Sequence, residues 1–260
     1  MVITSRYGVT AMKIYFLDLS KIKKPMQAVL LVSLVVFTFT AALVQPDGIL
    51  PVHTKPQAIC MARTSHKVVA LTFNINWGGK VPGPVLDILK TQNQQATFFI
   101  SSSWAQKYPQ LARRIAAEGH EIGSSLDRQV TPDNSTTTEL NEELLAMKEV
   151  TCQASGITPT LLRISHGEWN ELFLSAAAEA GYTVVQWNLN SMDIQTPGKD
   201  SIVNNVVKGV QPGSIILMNA SDTASQTPGA LSDVIAGLRA EGYELVTVSS
   251  LLKIGRGVTD

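Results

Sequence analysis

The chain has 260 residues and a mass of 28.1 kDa, with 45% apolar and only 16% charged residues. That length suits one large domain with an appended segment, and the apolar content excludes a chain that is disordered throughout. Lys plus Arg equals Asp plus Glu at 21 each, and no basic run lies beyond the N-terminal segment. This balance excludes a nucleic-acid partner and favours a neutral polymer or a small polar ligand.

The N-terminal segment resembles a membrane anchor. Residues 1–25 end in several lysines, and residues 26–44 form an apolar stretch without a charge. Such a stretch matches the roughly 20 residues that cross a bilayer core, and preceding lysines keep their side cytoplasmic. We therefore predict a single transmembrane helix at 26–44, with the rest of the chain outside the cytoplasm. A cleaved signal peptide ending near Thr40–Ala42 remains an alternative, as does Met12 as the start in place of Met1.

A linker is predicted between the anchor and the globular domain. Residues 45–66 contain three prolines and little apolar periodicity. The chain has two cysteines, Cys60 and Cys152, which are far apart in sequence. Outside the cytoplasm a disulfide is permitted, but two thiols are equally permitted, and the sequence leaves both open.

From Lys67 onward, short β-branched runs alternate with amphipathic stretches. Seven strands are predicted, at 68–73, 96–100, 121–125, 160–164, 183–189, 214–218 and 244–248. Six helices are predicted between them, at 84–92, 104–118, 136–154, 170–180, 201–209 and 227–241. Apolar strands in repeated βα order predict a parallel sheet buried on both faces, and leave a barrel and a doubly wound sheet both open.

Chemistry in such folds sits at the C-terminal ends of the strands. The side chains expected there are mostly amides and hydroxyls, in the segments 74–77, 124–125, 163–167, 188–193 and 219–222. They are suited to hydrogen bonding a polar ligand and poorly suited to binding a divalent metal.

Six segments resemble, in order, the successive motifs of the polysaccharide deacetylases, the NodB-homology domain. They read VALTFNINWG, ATFFISSSWA, GHEIGSS, LLRISHGEWN, GYTVVQWNLNSMDIQTPG and GSIILMNASDTASQTPGAL. The resemblance covers residues 67–252, leaves 253–260 as a tail, and implies a distorted (β/α)7-type barrel after the transmembrane helix. The anchor, TFxIxWG in place of TFDDG, and the ASDxAxQT segment resemble the sporulation-specific, PdaB-type branch. That branch implies a glycan ligand at the spore or cell envelope of a Gram-positive bacterium.

The resemblance also implies a mechanism, metal-assisted amide hydrolysis. An Asp and two His hold a divalent metal such as zinc, a second Asp is the base, and a later His is the acid. Here the metal positions are Ile75, Ser125 and Gln129, the base position is Asn74 and the acid position is Asn219. Ile75 offers no ligand atom, and an amide neither accepts nor delivers a proton at neutral pH. Since base and acid each contribute about 10²- to 10⁴-fold, we expect a silent site and no metal cofactor.

Other motif positions are retained or altered in size-preserving ways. Arg163, which supports the base in the family, is kept, as is Asp193, while Asn190 replaces the first Asp of DSxDW. Arg163 needs a partner because it ends an apolar strand, and an ion pair with Asp193 is the structural alternative to a ligand role.

The candidates for binding the substrate follow the strands. Trp77 and Trp169 are placed to stack on a sugar ring, or else are ordinary loop residues. His166 takes the place of a Tyr of the family, and either serves as a group that can change its charge near neutral pH or simply fills that loop position. Asp193 and Asp222 are carboxylates at strand ends, and with His166 they are the candidates for a rescue base. The set is completed by Arg163.

Three functions remain open from the sequence. The first is a catalytically silent, anchored protein that binds or organises cell-wall glycan during sporulation. The second is an active N-deacetylase that hydrolyses an acetamide C–N bond of peptidoglycan with an unorthodox site. The third is a protein-interaction module on a dead barrel. The expected partners are a cell-wall or spore-cortex glycan and, through the N-terminal helix, the membrane.

Overall fold

A parallel sheet with helices on its outer face forms the domain in the computed structural model, which describes residues 56–126, 136–165 and 169–259. The strands of these ranges are β1 Ile59–Arg63, β2 Val68–Ile75, β3 Thr97–Ile100, β4 Glu121–Leu126, β5 Leu161–Ile164, β6 Thr183–Val184, β7 Leu189–Asn190, β8 Ile215–Asn219, β9 Glu244–Val246 and β10 Arg256–Thr259. The α-helices are α1 Pro82–Thr91, α2 Ser102–Lys107, α3 Pro109–Ala117, α4 Thr137–Ser155, α5 Glu171–Glu179, α6 Lys199–Gly209, α7 Thr227–Ala240 and α8 Val248–Ile254.

The sheet is curled and incompletely closed. Its strands are all parallel and run in the order β6-β5-β4-β3-β2-β8-β7, with β9 beside the start of β2. Because β6 and β7 follow each other in the chain but lie at opposite ends of this order, the sheet bends into an open barrel. The sequence therefore predicted the fold class correctly, and the barrel is the alternative that holds.

Strand β2 is buried at all eight positions, yet its two faces differ. Val69, Leu71, Phe73 and Ile75 pack in the cluster that includes the outer helices, with Leu86 and Leu89 of α1 among its members. Successive side chains of a strand point to opposite faces, so the residues between these four point into the barrel. The polar side chain of Asn74 therefore enters the interior.

One predicted helix is divided by a proline. The expected helix at 104–118 is α2 and α3, separated at Tyr108, because the residue before a proline is disfavoured in the helical region. Pro109 then starts α3, where its missing N–H costs nothing.

Two strands were not predicted. β1 lies in the expected linker 45–66 and β10 in the expected tail 253–260, and they pair antiparallel. Each is short and is far from its partner in sequence, so the local pattern did not reveal them. The expected strand 183–189 is likewise two separate strands, β6 and β7, because the chain between them crosses from one sheet edge to the other.

Some sequence predictions lie outside the described residues. These are the anchor at 26–44 and the segment 1–25. Of the helices within the described ranges, none combines the length and the apolar character needed to cross a bilayer. Both cysteines are thiols: Cys60 is buried and Cys152 lies beside the Thr158 hydroxyl at 3.3 Å.

Candidate functional site

A cavity of about 580 Å³ opens at the C-terminal ends of the central strands. It is lined by amides, hydroxyls and apolar side chains, and none of its described lining residues is ionisable. They are Asn74, Asn76, Trp77, Ser165, Trp187, Asn190, Ile194, Leu217, Asn219, Ser221 and Thr223. Of these, Asn74, Trp77, Asn190 and Asn219 were predicted from the sequence.

Arg163 lies beneath this cavity and is fully buried. Its guanidinium donates to Thr72 Oγ1 at 2.8 Å, to Asn74 Oδ1 at 3.1 Å, and to the backbone oxygens of Val185 and Gln186 at 3.1 and 3.0 Å. It also lies 3.8 Å from the ring centroid of Phe99. All four oxygens are neutral, so burial lowers the pKa of Arg163 well below its ordinary value. The side chain is structural and does not reach the cavity, contrary to its prediction as a ligand contact.

Beside the cavity, amide and hydroxyl side chains form a chain of hydrogen bonds. Ser125 Oγ lies 2.9 Å from Asn76 Oδ1 and 2.6 Å from Ser165 Oγ, and Asn74 Nδ2 lies 3.4 Å from the same Ser165 oxygen. Ser125 is buried and faces neutral partners. Ser165 was missed by sequence reasoning, although it follows Arg163 by two residues and was within a predicted strand-end segment.

Ile75, at the position where the resemblance implied a metal ligand, points away from the cavity. Ile75 is fully buried among apolar side chains on the helix-facing side of β2. Asn76, one residue later, lines the cavity and accepts from Ser125. The alternation of side chains along a strand could have indicated this from the sequence. Asn74 and Asn76 lie on one face of β2, and Ile75 lies on the other.

Asp193 is fully buried and accepts hydrogen bonds from neighbouring residues. Its carboxylate accepts from the Asn219 backbone N–H at 2.8 Å, from Asn219 Nδ2 at 2.7 Å and from Thr227 Oγ1 at 2.6 Å. It therefore orients Asn219, the former acid position. The predicted ion pair with Arg163 is absent from these contacts, and Asp193 is too enclosed to touch a substrate or act as a rescue base.

Asp222 supports the loop that carries Trp77. Its carboxylate accepts from the backbone N–H groups of Gly79, Lys80 and Val81 at 3.3, 2.8 and 3.1 Å. These bonds hold the loop after β2, in which Gly78 has φ +82°. The same loop carries Trp77, which is 52% exposed at the rim of the cavity.

Trp169 lies elsewhere. It lines a second, smaller cavity of about 240 Å³ with Pro56, Ala58 and Leu174, so it does not share the site of Trp77. Trp187 lines the main cavity and also packs against the apolar cluster that includes Phe99 and Ile215. The remaining predicted residues, Gln129 and His166, lie outside the described ranges.

Comparison with known proteins places these features in a family. The polysaccharide deacetylase family model matches residues 62–185. A peptidoglycan-N-acetylglucosamine deacetylase of Bacillus cereus is 34% identical over 192 residues, which is 73% of this chain and 90% of that protein. The chain belongs to the polysaccharide deacetylase family.

Other members of the family share less of their length or sequence. An uncharacterised Bacillus subtilis protein, YlxY, is 29% identical over 76% of this chain and 61% of its own. The Listeria monocytogenes deacetylase PgdA is 30% identical over 81% of this chain and 45% of its own length.

Solved structures of deacetylases have the same fold. The Bc1960 peptidoglycan N-acetylglucosamine deacetylase superposes with a TM-score of 0.69 at 29% identity, over 76% of this chain and 94% of that one. A family 4 carbohydrate esterase pseudoenzyme from Bacillus anthracis has a TM-score of 0.69 at 23% identity, over 76% of this chain and 70% of that one. At that identity the likeness concerns the fold alone.

The divalent metal of the family does not fit the residues present. Within residues 56–126, 136–165 and 169–259, no three His, Cys, Asp or Glu side chains are grouped closely enough to hold a metal ion. At the mouth, Asn76 and Ser125 offer neutral oxygens that are hydrogen-bonded to each other. Zinc sites in proteins are built from imidazole, thiolate and carboxylate groups, and catalytic ones keep three such ligands. The described part of this mouth therefore lacks the donor set for metal-assisted hydrolysis.

Proposed function

We propose that this protein is a catalytically silent polysaccharide deacetylase homologue that binds N-acetylated cell-wall glycan. In this proposal it is tethered to the membrane by residues 26–44, with its barrel outside the cytoplasm, and it organises wall or cortex glycan during sporulation. The tether and the sporulation role rest on the apolar segment and on the PdaB-type motif variants. The glycan ligand rests on the family, since named relatives act on peptidoglycan N-acetylglucosamine.

One observation carries the proposed silence: the reactive positions of the family hold amides and hydroxyls that bond to one another or to buried supports. Asn74 is bound to Arg163, Asn219 to Asp193, and Ser125 to Asn76 and Ser165. None of these amides and hydroxyls takes up or delivers a proton at neutral pH. The loss of base and acid alone removes about 10⁴-fold or more of the rate.

Retention of the cavity supports the proposed binding. Its polar lining is complemented by exposed Trp77 at the rim and by Trp187 within, and aromatic faces are the surfaces on which sugar rings stack.

The first test is acetate release. The unmodified full chain, purified in a mild detergent, is incubated with chitooligosaccharides and peptidoglycan, first after chelation and then with added zinc or cobalt. We expect no acetate and no tightly bound metal. Turnover that a chelator abolishes would instead support the active deacetylase with an unorthodox site.

The second test rebuilds the metal site in two matched ways. We expect the variant with Asn76→Asp, Ser125→His and Gln129→His to gain zinc binding, because residue 76 faces the mouth. In the matched variant with Ile75→Asp and the same two histidines, the new carboxylate enters the apolar core, so we expect unfolding and no zinc site. The opposite ranking would show that residue 75 is the metal position.

The third test separates glycan binding from protein docking. Trp77→Ala should reduce retention on immobilised peptidoglycan, whereas Trp169→Ala, in the other cavity, is the matched control and should not. If the wild-type protein is not retained at all, the result contradicts glycan binding and favours the protein-interaction module.

A further inference from the structure

Two asparagines of the cavity stand side by side on neighbouring strands. Asn74 of β2 and Asn219 of β8 are direct partners in the parallel register. Neighbouring strands lie about 4.8 Å apart, and both side chains line the same cavity. Asn74 and Asn219 therefore face one ligand together.

Each amide is held in one orientation by a buried charge. A guanidinium can only donate, so Arg163 fixes Asn74 with Oδ1 toward it and Nδ2 away. A carboxylate can only accept, so Asp193 fixes Asn219 with Nδ2 toward it and Oδ1 away. The two supporting charges are opposite, so the two asparagines are turned in opposite senses.

The groups left for a ligand are therefore different on the two residues. Asn74 Nδ2 uses one N–H on Ser165 Oγ, at 3.4 Å, and retains a second N–H. Within the described contacts, Asn219 Oδ1 accepts no hydrogen bond, while both the backbone N–H and Nδ2 of that residue are bound to Asp193. The cavity thus presents one donor beside one acceptor, both neutral and both preorganised.

We propose that Asn74 and Asn219 are a specificity-determining pair that selects a secondary amide over an ester or a free amine. The amide carbonyl accepts from Asn74 Nδ2, and the amide N–H donates to Asn219 Oδ1. An ester has no N–H for Asn219, and a free amino group has no carbonyl for Asn74. This proposal rests on the proposed glycan-binding function and adds which substituent of the sugar is read.

Side chains that are already oriented lose little conformational entropy when they bind a ligand. Leaving one of their polar groups desolvated and without a partner, however, costs free energy. A ligand lacking one of the two groups leaves a desolvated donor or acceptor without a partner. Sites built around hydrogen bonds therefore discriminate strongly against analogues that lack them. We expect about a ten-fold loss of affinity for each missing hydrogen bond.

The experiment measures the affinity of the full chain, in a mild detergent, for three tetrasaccharides by calorimetry. The probes are chitotetraose, its fully de-N-acetylated form, and cellotetraose with 2-O-acetyl groups. We expect chitotetraose to bind at least about ten-fold more tightly than either of the others.

A variant tests the assignment to Asn74. Asn74→Asp preserves size, gives Arg163 a carboxylate and removes the N–H that faces the cavity. We expect a melting temperature at least equal to wild type but about ten-fold weaker binding of chitotetraose. Asn204→Asp makes the same chemical change on an exposed position of α6 and should leave the affinity unchanged.

The outcomes separate this proposal from the function on which it rests. Equal affinity for the three probes would overturn the amide preference and leave glycan binding in place. Unchanged chitotetraose binding by Asn74→Asp would also overturn it. If none of the three tetrasaccharides binds, both the amide preference and the proposed function are wrong.

Discussion

Arg163 and Asp193 are two fully buried charges that support the same cavity in different ways. Arg163 sits inside the barrel, where it joins β5 to β2 and to the segment after β6, and lies over Phe99 of β3. Asp193 sits in a turn after β7 and joins that turn to β8 and to the first residue of α7. The comparison indicates that one charge holds the barrel interior and the other holds a loop, while each orients one asparagine.

Removing Arg163 should cause the largest loss of stability. Arg163→Leu leaves the oxygens of Thr72, Asn74, Val185 and Gln186 without a donor, so we expect a loss of about 4 kcal/mol in the free energy of unfolding. Urea unfolding followed by circular dichroism measures it. Arg113→Leu, on the exposed side of α3, is the control and should stay within about 0.5 kcal/mol. A small loss for Arg163→Leu would mean that the guanidinium is not what holds the interior.

Weakening the contacts of Asp193 should cause a smaller loss in the free energy of unfolding. Thr227→Val keeps the shape of the side chain but removes the hydroxyl that donates to Asp193 at 2.6 Å. Hydrogen bonds to charged groups contribute about 2 kcal/mol, and the same unfolding assay should detect that change. Thr227→Ser retains the hydroxyl, so it should lose less than half as much. No measurable loss for Thr227→Val would show that the hydroxyl bond to Asp193 does not contribute to stability.

A third buried group, His120, should give the smallest effect, and only in acid. Its Nδ1 accepts from the Ala96 N–H at 3.2 Å, and burial is the main cause that lowers the pKa of His120. The unfolded chain takes up a proton below pH of about 6.5, before the folded chain does. Its contribution to stability is therefore complete above that pH and declines as the pH falls toward the folded-state pKa.

The measurement is the unfolding free energy between pH 7 and pH 5, where we expect this group to cause a decline as the pH falls. His120→Asn keeps an acceptor near Ala96 and should remove that part of the decline. His66→Asn, at an exposed position, should retain it. An identical pH profile for wild type and His120→Asn would exclude His120 as the group responsible.

The sequence predicted a parallel sheet because its strands are apolar runs in regular βα order, and the family resemblance implied the barrel. It did not predict β1, since a five-residue strand whose partner is β10 carries no local signal. The two faces of β2 are equally buried, which hid the alternation that separates Ile75 from Asn76. Motif alignment counts positions along the chain, whereas the site depends on which way a side chain points.

The role of the carboxylates at the site could not be predicted from the sequence. Asp193 and Asp222 both follow strands, and so both qualified as ligand contacts. Only the folded chain brings Thr227 onto Asp193 and the backbone of residues 79–81 onto Asp222. Conversely, the sequence did place Asn74 and Asn219 at the ends of strands, and both line the cavity.

The antiparallel pairing of β1 with β10 has a practical consequence. Ile59 is matched with Thr259, and Met61 forms a bridge to Ser214, just before β8 begins. The first and last strands of the described residues are thus neighbours, and the Thr259 hydroxyl donates to Gln57 Oε1 at 2.7 Å. Adjacent ends of this kind tolerate circular permutation and insertion into a host loop. The barrel can therefore be inserted into a host protein as a cassette that is joined at two adjacent points.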